Sequence, residues 1–192
     1  MQVFIDFEAS SLSKTSYPIE VGWVFVDGRS EGHLIRPAPG WDDWSVQAQA
    51  VHGIDRATLE QDGVPHDQVA KRMVEVLAEH DLFASAPSWD GKWLSVLLRA
   101  AGLPRHTLRL RDTEEAHRDA ARSLLAPLVP TDALDGAVAN AVSLAELRFR
   151  HGPVRHRAVE DAEQERQRWI AVRDVAADLA GVPKPLAAVG GR

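Results

Sequence analysis

Two carboxylates stand two residues apart in the apolar run Phe4-Ile5-Asp6-Phe7-Glu8. In a β-strand, residues i and i+2 point to one face, so Asp6 and Glu8 are expected side by side. Like charges on one strand face repel, and burial adds a desolvation cost. A divalent cation with oxygen ligands relieves both. An edge strand with a solvated acidic face accounts for the pair equally well, so the other acids decide. Asp90 lies in Ser85-Ala86-Pro87-Ser88-Trp89-Asp90-Gly91-Lys92-Trp93-Leu94, where an expected strand gives way to a helix. Alone it reads as a helix N-cap, a position that Asp favours. His156-Arg157-Ala158-Val159-Glu160-Asp161 opens the last expected helix. A spacing of five does not put His156 and Asp161 on one helix face. With His156 in the preceding loop and Asp161 in the first turns, both can still face one cleft; a capping acid beside a surface histidine is the plainer alternative.

The elements that must position these residues follow from periodicity. Strands are expected at 2–8, at Ile19–Val26 up to the turn pair Asp27-Gly28, and at His33–Arg36, stopped by Pro37 and Pro39. This spacing suggests an antiparallel meander. Residues 40–65 read as irregular with one short helical turn capped by Asp55. From Pro65 the period becomes helical, with Val69, Met73, Val76 and Leu77 on one stripe. A fourth strand is expected at 82–86. A helix carrying Trp93, Leu94, Leu97 and Leu98 follows, closed by Gly102 and Pro104. A fifth strand is expected at 107–111, then helices near 113–126, 139–150 and 158–179. The pattern is an α/β mixed sheet flanked by helices. One domain over 1–180 is expected, with a fraying Gly/Pro/Ala-rich tail over 181–192.

Composition narrows the function. The chain has 192 residues, is 45% hydrophobic and contains no cysteine. That length suits one domain with a sizeable core. Disulfide scaffolds and thiolate zinc or iron–sulfur sites are excluded. No apolar stretch approaches membrane-spanning length, so a cytoplasmic protein without membrane partners is expected. The net charge of −6 argues against a broad nucleic-acid-binding surface. Two local basic stretches run against it: Arg99, Arg105, Arg109 and Arg111, and Arg148, Arg150, Arg155 and Arg157, with His106, His151 and His156 interleaved.

Taken in order, these motifs resemble the DEDDh group of 3′–5′ exonucleases, over roughly residues 1–175. Asp6 and Glu8 match its Asp-x-Glu motif. Asp90 with the aromatic Trp93 three residues on matches the second, and His156, Ala158 and Asp161 match His-x-Ala-x-x-Asp. Ile19-Glu20-Val21-Gly22 and Val51-His52-Gly53-Ile54 are also similar to family stretches. The chain departs at Ala9-Ser10-Ser11-Leu12, and at Ala86 and Trp89, where the family often has Asn and Phe; this bears on the sugar and base contacts rather than on the acids.

The resemblance implies a ribonuclease H-like fold: a five-stranded mixed sheet, first three strands antiparallel, with helices on both faces. It implies two Mg²⁺ or Mn²⁺ ions held by Asp6, Glu8, Asp90 and Asp161, with His156 as general base. Four carboxylates and two divalent ions balance in charge, and an all-oxygen set suits these metals rather than zinc. The implied activity is hydrolysis at the 3′ ends of single-stranded DNA or RNA, releasing nucleoside 5′-monophosphates. Ser10, His52 and Trp93 are the expected substrate contacts, His52 and Trp93 by stacking on the terminal base, although Trp93 also lies on an apolar helix stripe and reads as core. Alternatives are an exoribonuclease specialised for short oligonucleotides or RNA trimming, and a catalytically silent binding module of the same fold. DNA-versus-RNA preference, protein partners and a homodimeric state are left open by the sequence.

Overall fold

The computed structural model describes residues 1–149 and 156–182. The chain runs β1 (Gln2–Ala9), β2 (Pro18–Phe25), β3 (Ser30–Arg36), α1 (Val46–His52), α2 (Arg56–Asp62), β4 (Val64–Pro65) and α3 (His66–Leu77). It continues through β5 (Asp81–Ala84), α4 (Pro87–Ala100), β6 (Leu110–Asp112), α5 (Thr113–Leu125), α6 (Thr131–Arg148) and α7 (Ala158–Ala180). The sheet order is β4-β3-β2-β1-β5-β6. β1, β2 and β3 form the expected antiparallel meander, and β5 and β6 add in parallel beyond β1.

The sheet therefore has six strands, not five. The extra one, Val64–Pro65, pairs in parallel with Arg36 and Ile35 at the outer edge. An edge is where a proline is tolerated, because its missing N–H costs no ladder bond there.

Alternation on β1 sorts the core into two layers. Val3, Ile5, Phe7 and Ala9 face α3 and α4, joining Trp23, Met73, Leu97 and Leu98 in the larger cluster. Phe4 faces the other way, toward Val24, Phe83 and helices α5 and α7, where Trp169 packs 6.3 Å from its ring. Helices thus cover both faces, and β2 is buried along its whole length. Asp6 and Glu8 share the α7-side face with Phe4. Among the described residues no helix is long and apolar enough to cross a membrane. Of the expected fraying tail, Gly181 caps α7 in the left-handed region and Val182 follows it; 183–192 lie outside the described residues.

Candidate active site

Strand register explains why the acids gather where they do. Phe4 of β1 pairs with Phe83 of β5, and β5 ends one residue later at Ala84. Beyond Ile5, β1 has no partner on that side. The start of α4 fills the gap. Pro87 opens the helix, a position where its missing N–H is harmless. Asp90 consequently lies in the first turn and is not the cap; Ala86 occupies the cap position without a side-chain bond. The capping account of Asp90 is therefore set aside. Its carboxyl is 2% exposed, points toward the Phe7 peptide, and leaves Oδ2 buried without a partner.

On the other flank of β1, Asp6 pairs across the ladder with Gly22, and Glu8 with Glu20. A Cβ added at Gly22 would sit 2.7 Å from Val159 Cα, closer than any real contact allows. Only glycine lets the start of α7 lie directly on the sheet, and that approach brings Asp161 over Asp6 and Glu8. Glu20 locks the arrangement. Its carboxylate accepts from the Ala158 backbone N–H (3.1 Å), an otherwise orphan donor of the helix terminus, and from Arg157 Nε (3.0 Å). A register shift between Glu8 and Ala9 marks a bulge, a device that re-aims side chains near sites.

Ligand-capable atoms of Glu8, His156 and Asp161 lie within 4.8 Å of one another. Asp6 stands beneath them, near enough for its ionisation to be opposed by Asp90, Glu8 and Asp161. Glu8, His156 and Asp161 thus come together, with Asp6 and Asp90 close enough to act electrostatically on the group. His156 is exposed and has φ +48°, a left-handed conformation that is uncommon for histidine. Of the second basic stretch, Arg150, His151 and Arg155 lie outside the described residues.

The cluster is electrostatically crowded. Burial, then the neighbouring acids, pushes Asp6 well above the ordinary carboxylate range. Glu8 is pushed up to about 8, by burial first and then by Asp161 and Glu20. Burial lifts Asp90 to about 7, and burial also raises Asp161. Glu20, by contrast, is paired with Arg157. Carboxylates held this close need a proton or a cation. The donor set of oxygens, plus an orphaned Asp90 oxygen, fits hard divalent ions.

Beside Glu8 opens a cavity of about 380 Å³, walled by Ser11, Leu12, Val51, His52 and Trp93. Trp93 is both core and wall: it is 6% exposed, and its Nε1 donates to Ser16 Oγ (3.0 Å). His52 is buried; its Nδ1 accepts from the Ile54 N–H (3.0 Å), while Nε2 has no partner. Burial lowers its pKa, so the ring is neutral near pH 7. Ser10 is placed differently from the expectation. Its hydroxyl is fully buried, donates to Asp43 Oδ2 (3.1 Å) and accepts from the Tyr17 N–H (3.1 Å). Ser11 and Leu12 reach the cavity instead. Asp43 also accepts from Ser11, Ser13 and Thr15, and so shapes the whole 10–16 loop. Sequence reading missed Asp43, Ser11 and the helix-locking role of Glu20; the only signal was the run of hydroxyl residues needing a common acceptor.

No family model and no curated protein sequence matches this chain. Solved structures do. E. coli exonuclease I in complex with a dA16 oligonucleotide superposes with a TM-score of 0.61 at 14% identity, over 93% of this chain and 42% of that one. A moderately thermophilic exonuclease I from Methylocaldum szegediense gives 0.61 at 14%, over 94% and 42%. A product-bound exonuclease I gives 0.60 at 14%, over 94% and 45%. The likeness establishes a shared fold. This chain spans less than half the length of those proteins.

Proposed function

We propose that this protein is a metal-dependent 3′–5′ exonuclease acting on single-stranded nucleic acid ends and releasing nucleoside 5′-monophosphates. One observation carries the reading: Asp6, Glu8, Asp90 and Asp161, drawn from three places in the chain, gather near His156 with raised carboxyl pKa values. Carboxylates crowded this closely, with oxygen donors on several elements, suit divalent cations. The resemblance of the motifs and the fold shared with exonuclease I support the same conclusion.

Asp6, Glu8, Asp90 and Asp161 would hold two Mg²⁺ or Mn²⁺ ions. Such ions, when bound, activate water and stabilise the attacking and leaving oxygens of an in-line phosphoryl displacement. The remaining work falls to the chain. His156, exposed at the lip and within reach of Glu8 and Asp161, takes the proton from the attacking water. The 380 Å³ cavity receives the terminal nucleotide, with the indole of Trp93 and the Leu12 and Val51 side chains against its base. His52 Nε2, neutral and unpartnered, is free to bond to the sugar or base.

The test is direct. With Mn²⁺, the protein should shorten a 5′-labelled 20-mer of DNA or RNA one nucleotide at a time and liberate 5′-monophosphates. Binding without any mononucleotide release would instead favour the silent-module alternative. Faster turnover of dinucleotides than of 20-mers would favour the short-oligonucleotide enzyme.

A further inference from the structure

On the far side of Asp90 lies a second opening of about 530 Å³, between α4 and the segment leading into β6. Its charged lining is Lys92, Arg105 and Arg109, with His106, and it contains no carboxylate. In a chain with 28 acidic and 22 basic side chains, that local inversion is notable. The cations are also uncompensated. Arg109 makes no hydrogen bond or ion pair among the described residues. Arg105 donates from Nε only to His106 Nε2 (2.8 Å). Lys92 Nζ donates to neutral oxygens, the Ser13 carbonyl and Ser16 Oγ. By contrast Arg111, two residues on, is matched by Glu115 and Asp119.

Helix geometry ties this cleft to the acids. At about 100° per residue, Trp93 lies roughly 60° to one side of Asp90 on α4. Leu94, Gly91 and Ser95 lie roughly 40°, 100° and 140° to the other side. Trp93 walls the apolar cavity; Leu94, Gly91 and Ser95 wall the basic cleft. Asp90 therefore sits between the two on the helix wheel. Gly91 lies at the joint, one residue from Asp90, and a Cβ there would meet nothing within 4 Å. No packing demand accounts for a helix-weakening glycine at that position, whereas a clear passage does.

We infer that this cleft binds the backbone phosphates of nucleotides on the 5′ side of the scissile bond. The inference rests on the exonuclease reading and assigns the strand a direction: terminal nucleotide in the apolar cavity, scissile phosphate at the acids, preceding phosphates along Arg105 and Arg109. It also reconciles an acidic protein with a polyanionic substrate, since the grip is confined to one channel.

The test is the double variant R105E/R109E. Both side chains are exposed, so folding is not at stake. Binding is read by fluorescence anisotropy of 5′-fluorescein dT20 in EDTA, which needs no turnover. Affinity at 50 mM salt should drop at least tenfold. The slope of log K against log [salt] should flatten by about 1.4, the value for two lost contacts to a single strand. In Mn²⁺ the ratio of kcat/KM for dT20 to that for pdTpdT should fall at least fivefold. A control, R29E/K71E, carries the same net charge change on other surfaces and should bind dT20 like wild type. Wild-type affinity and slope in R105E/R109E overturn the inference, as does an equal loss in the control. If wild type releases no mononucleotide while the anisotropy result holds, the nuclease reading fails and the phosphate cleft stands.

Discussion

Asp6, Glu8 and Asp90 are carried by the centre of the sheet and by the helix start that plugs its gap, with Asp90 2% exposed. His156 stands exposed on the connection into α7, at φ +48°, and Asp161 follows on the first turn of a helix seated through Gly22 and Glu20. The first half is fixed by the strand ladder and the larger hydrophobic cluster. The second depends on how the start of α7 docks on the sheet, close against Gly22 and held by Glu20. A cage for ions is best built from the rigid half, because misplacing a ligand is costly. A proton-carrying side chain is best exposed, because it must trade its proton with solvent each cycle.

If that division is right, breaking the rigid half should do the greatest harm. Asp6→Ala is expected to reduce mononucleotide release to background in Mn²⁺ while the fold persists, with equal or slightly higher Tm in EDTA because mutual repulsion is relieved. Retained turnover would remove the site assignment. His156→Ala should lower the rate by about 10²–10⁴ at neutral pH, with Mn²⁺ binding by calorimetry largely kept. A wild-type rate in this variant would mean another group is the base. Equal collapse of metal binding in both variants would erase the distinction between the halves.

Gly22→Ala probes the docking contact itself. The added methyl meets the Ala158–Val159 backbone, which cannot rotate away. A cost of about 1–3 kcal/mol follows from overpacking, equivalent to roughly 2–12 °C in Tm for a chain of this size. Because α7 is pushed off the sheet, activity should fall while Asp6, Glu8 and Asp90 keep their places. An unchanged Tm would show that α7 is seated by other contacts.

How far the sequence foretold this depends on what each signal encodes. β1 and β2 are legible because β-branched and aromatic residues dominate them, with the acids and Gly22 as interruptions, and α7 because a long run without proline or glycine follows Ala158. The acids were legible as types in order. Taken alone, Asp90 reads as a cap because the apolar stripe begins only at Trp93, whereas Pro87, an acceptable first helical residue, starts α4 four residues before the position a cap at Asp90 would imply. β4 is two residues long and owes its pairing to Arg36 across the edge, which no local pattern announces. β6 begins at Leu110, not 107, because Thr107 is spent on a turn bond to the Pro104 carbonyl. α6 begins at Thr131, well before 139, since its apolar residues scatter around the helix and include Gly136. α1 carries no apolar stripe in Val-Gln-Ala-Gln-Ala-Val, so the sequence suggests irregular chain there, yet Ser45 caps a helix by accepting from the Ala48 N–H. Ser10 and Ser11 differ only in which one the strand alternation turns inward, and the bulge at Glu8/Ala9 scrambles that parity.

The smallest expected effect is thermodynamic and tests the rigid half without catalysis. Glu8 titrates at about 8 and Asp90 at about 7 in the folded protein, with Asp6 raised as well, against 4.5 and 3.8 for ordinary Glu and Asp. Above the ordinary values, the folded state binds more protons than the unfolded one, so metal-free stability must fall as pH rises toward 8. Buried His52 and His117 act in the opposite sense below about 6.5, their usual pKa, since both are lowered by burial and must stay neutral. The histidine contribution fades within about one pH unit above 6.5, so the acids dominate toward pH 8.5. Across that window in EDTA, Tm should drop by roughly 3–8 °C, a figure already reduced because Glu8 is partly solvated. Mn²⁺ at millimolar concentration should flatten the drop or reverse it, because the ion binds the deprotonated cage of the folded state alone. Asp6→Ala should flatten it too, by removing one of the repelling charges. A Tm that holds level or climbs from pH 6.5 to 8.5 in EDTA would mean the acids are not crowded as described, and the contrast between a strained, rigid cage and an exposed base would lose its physical basis.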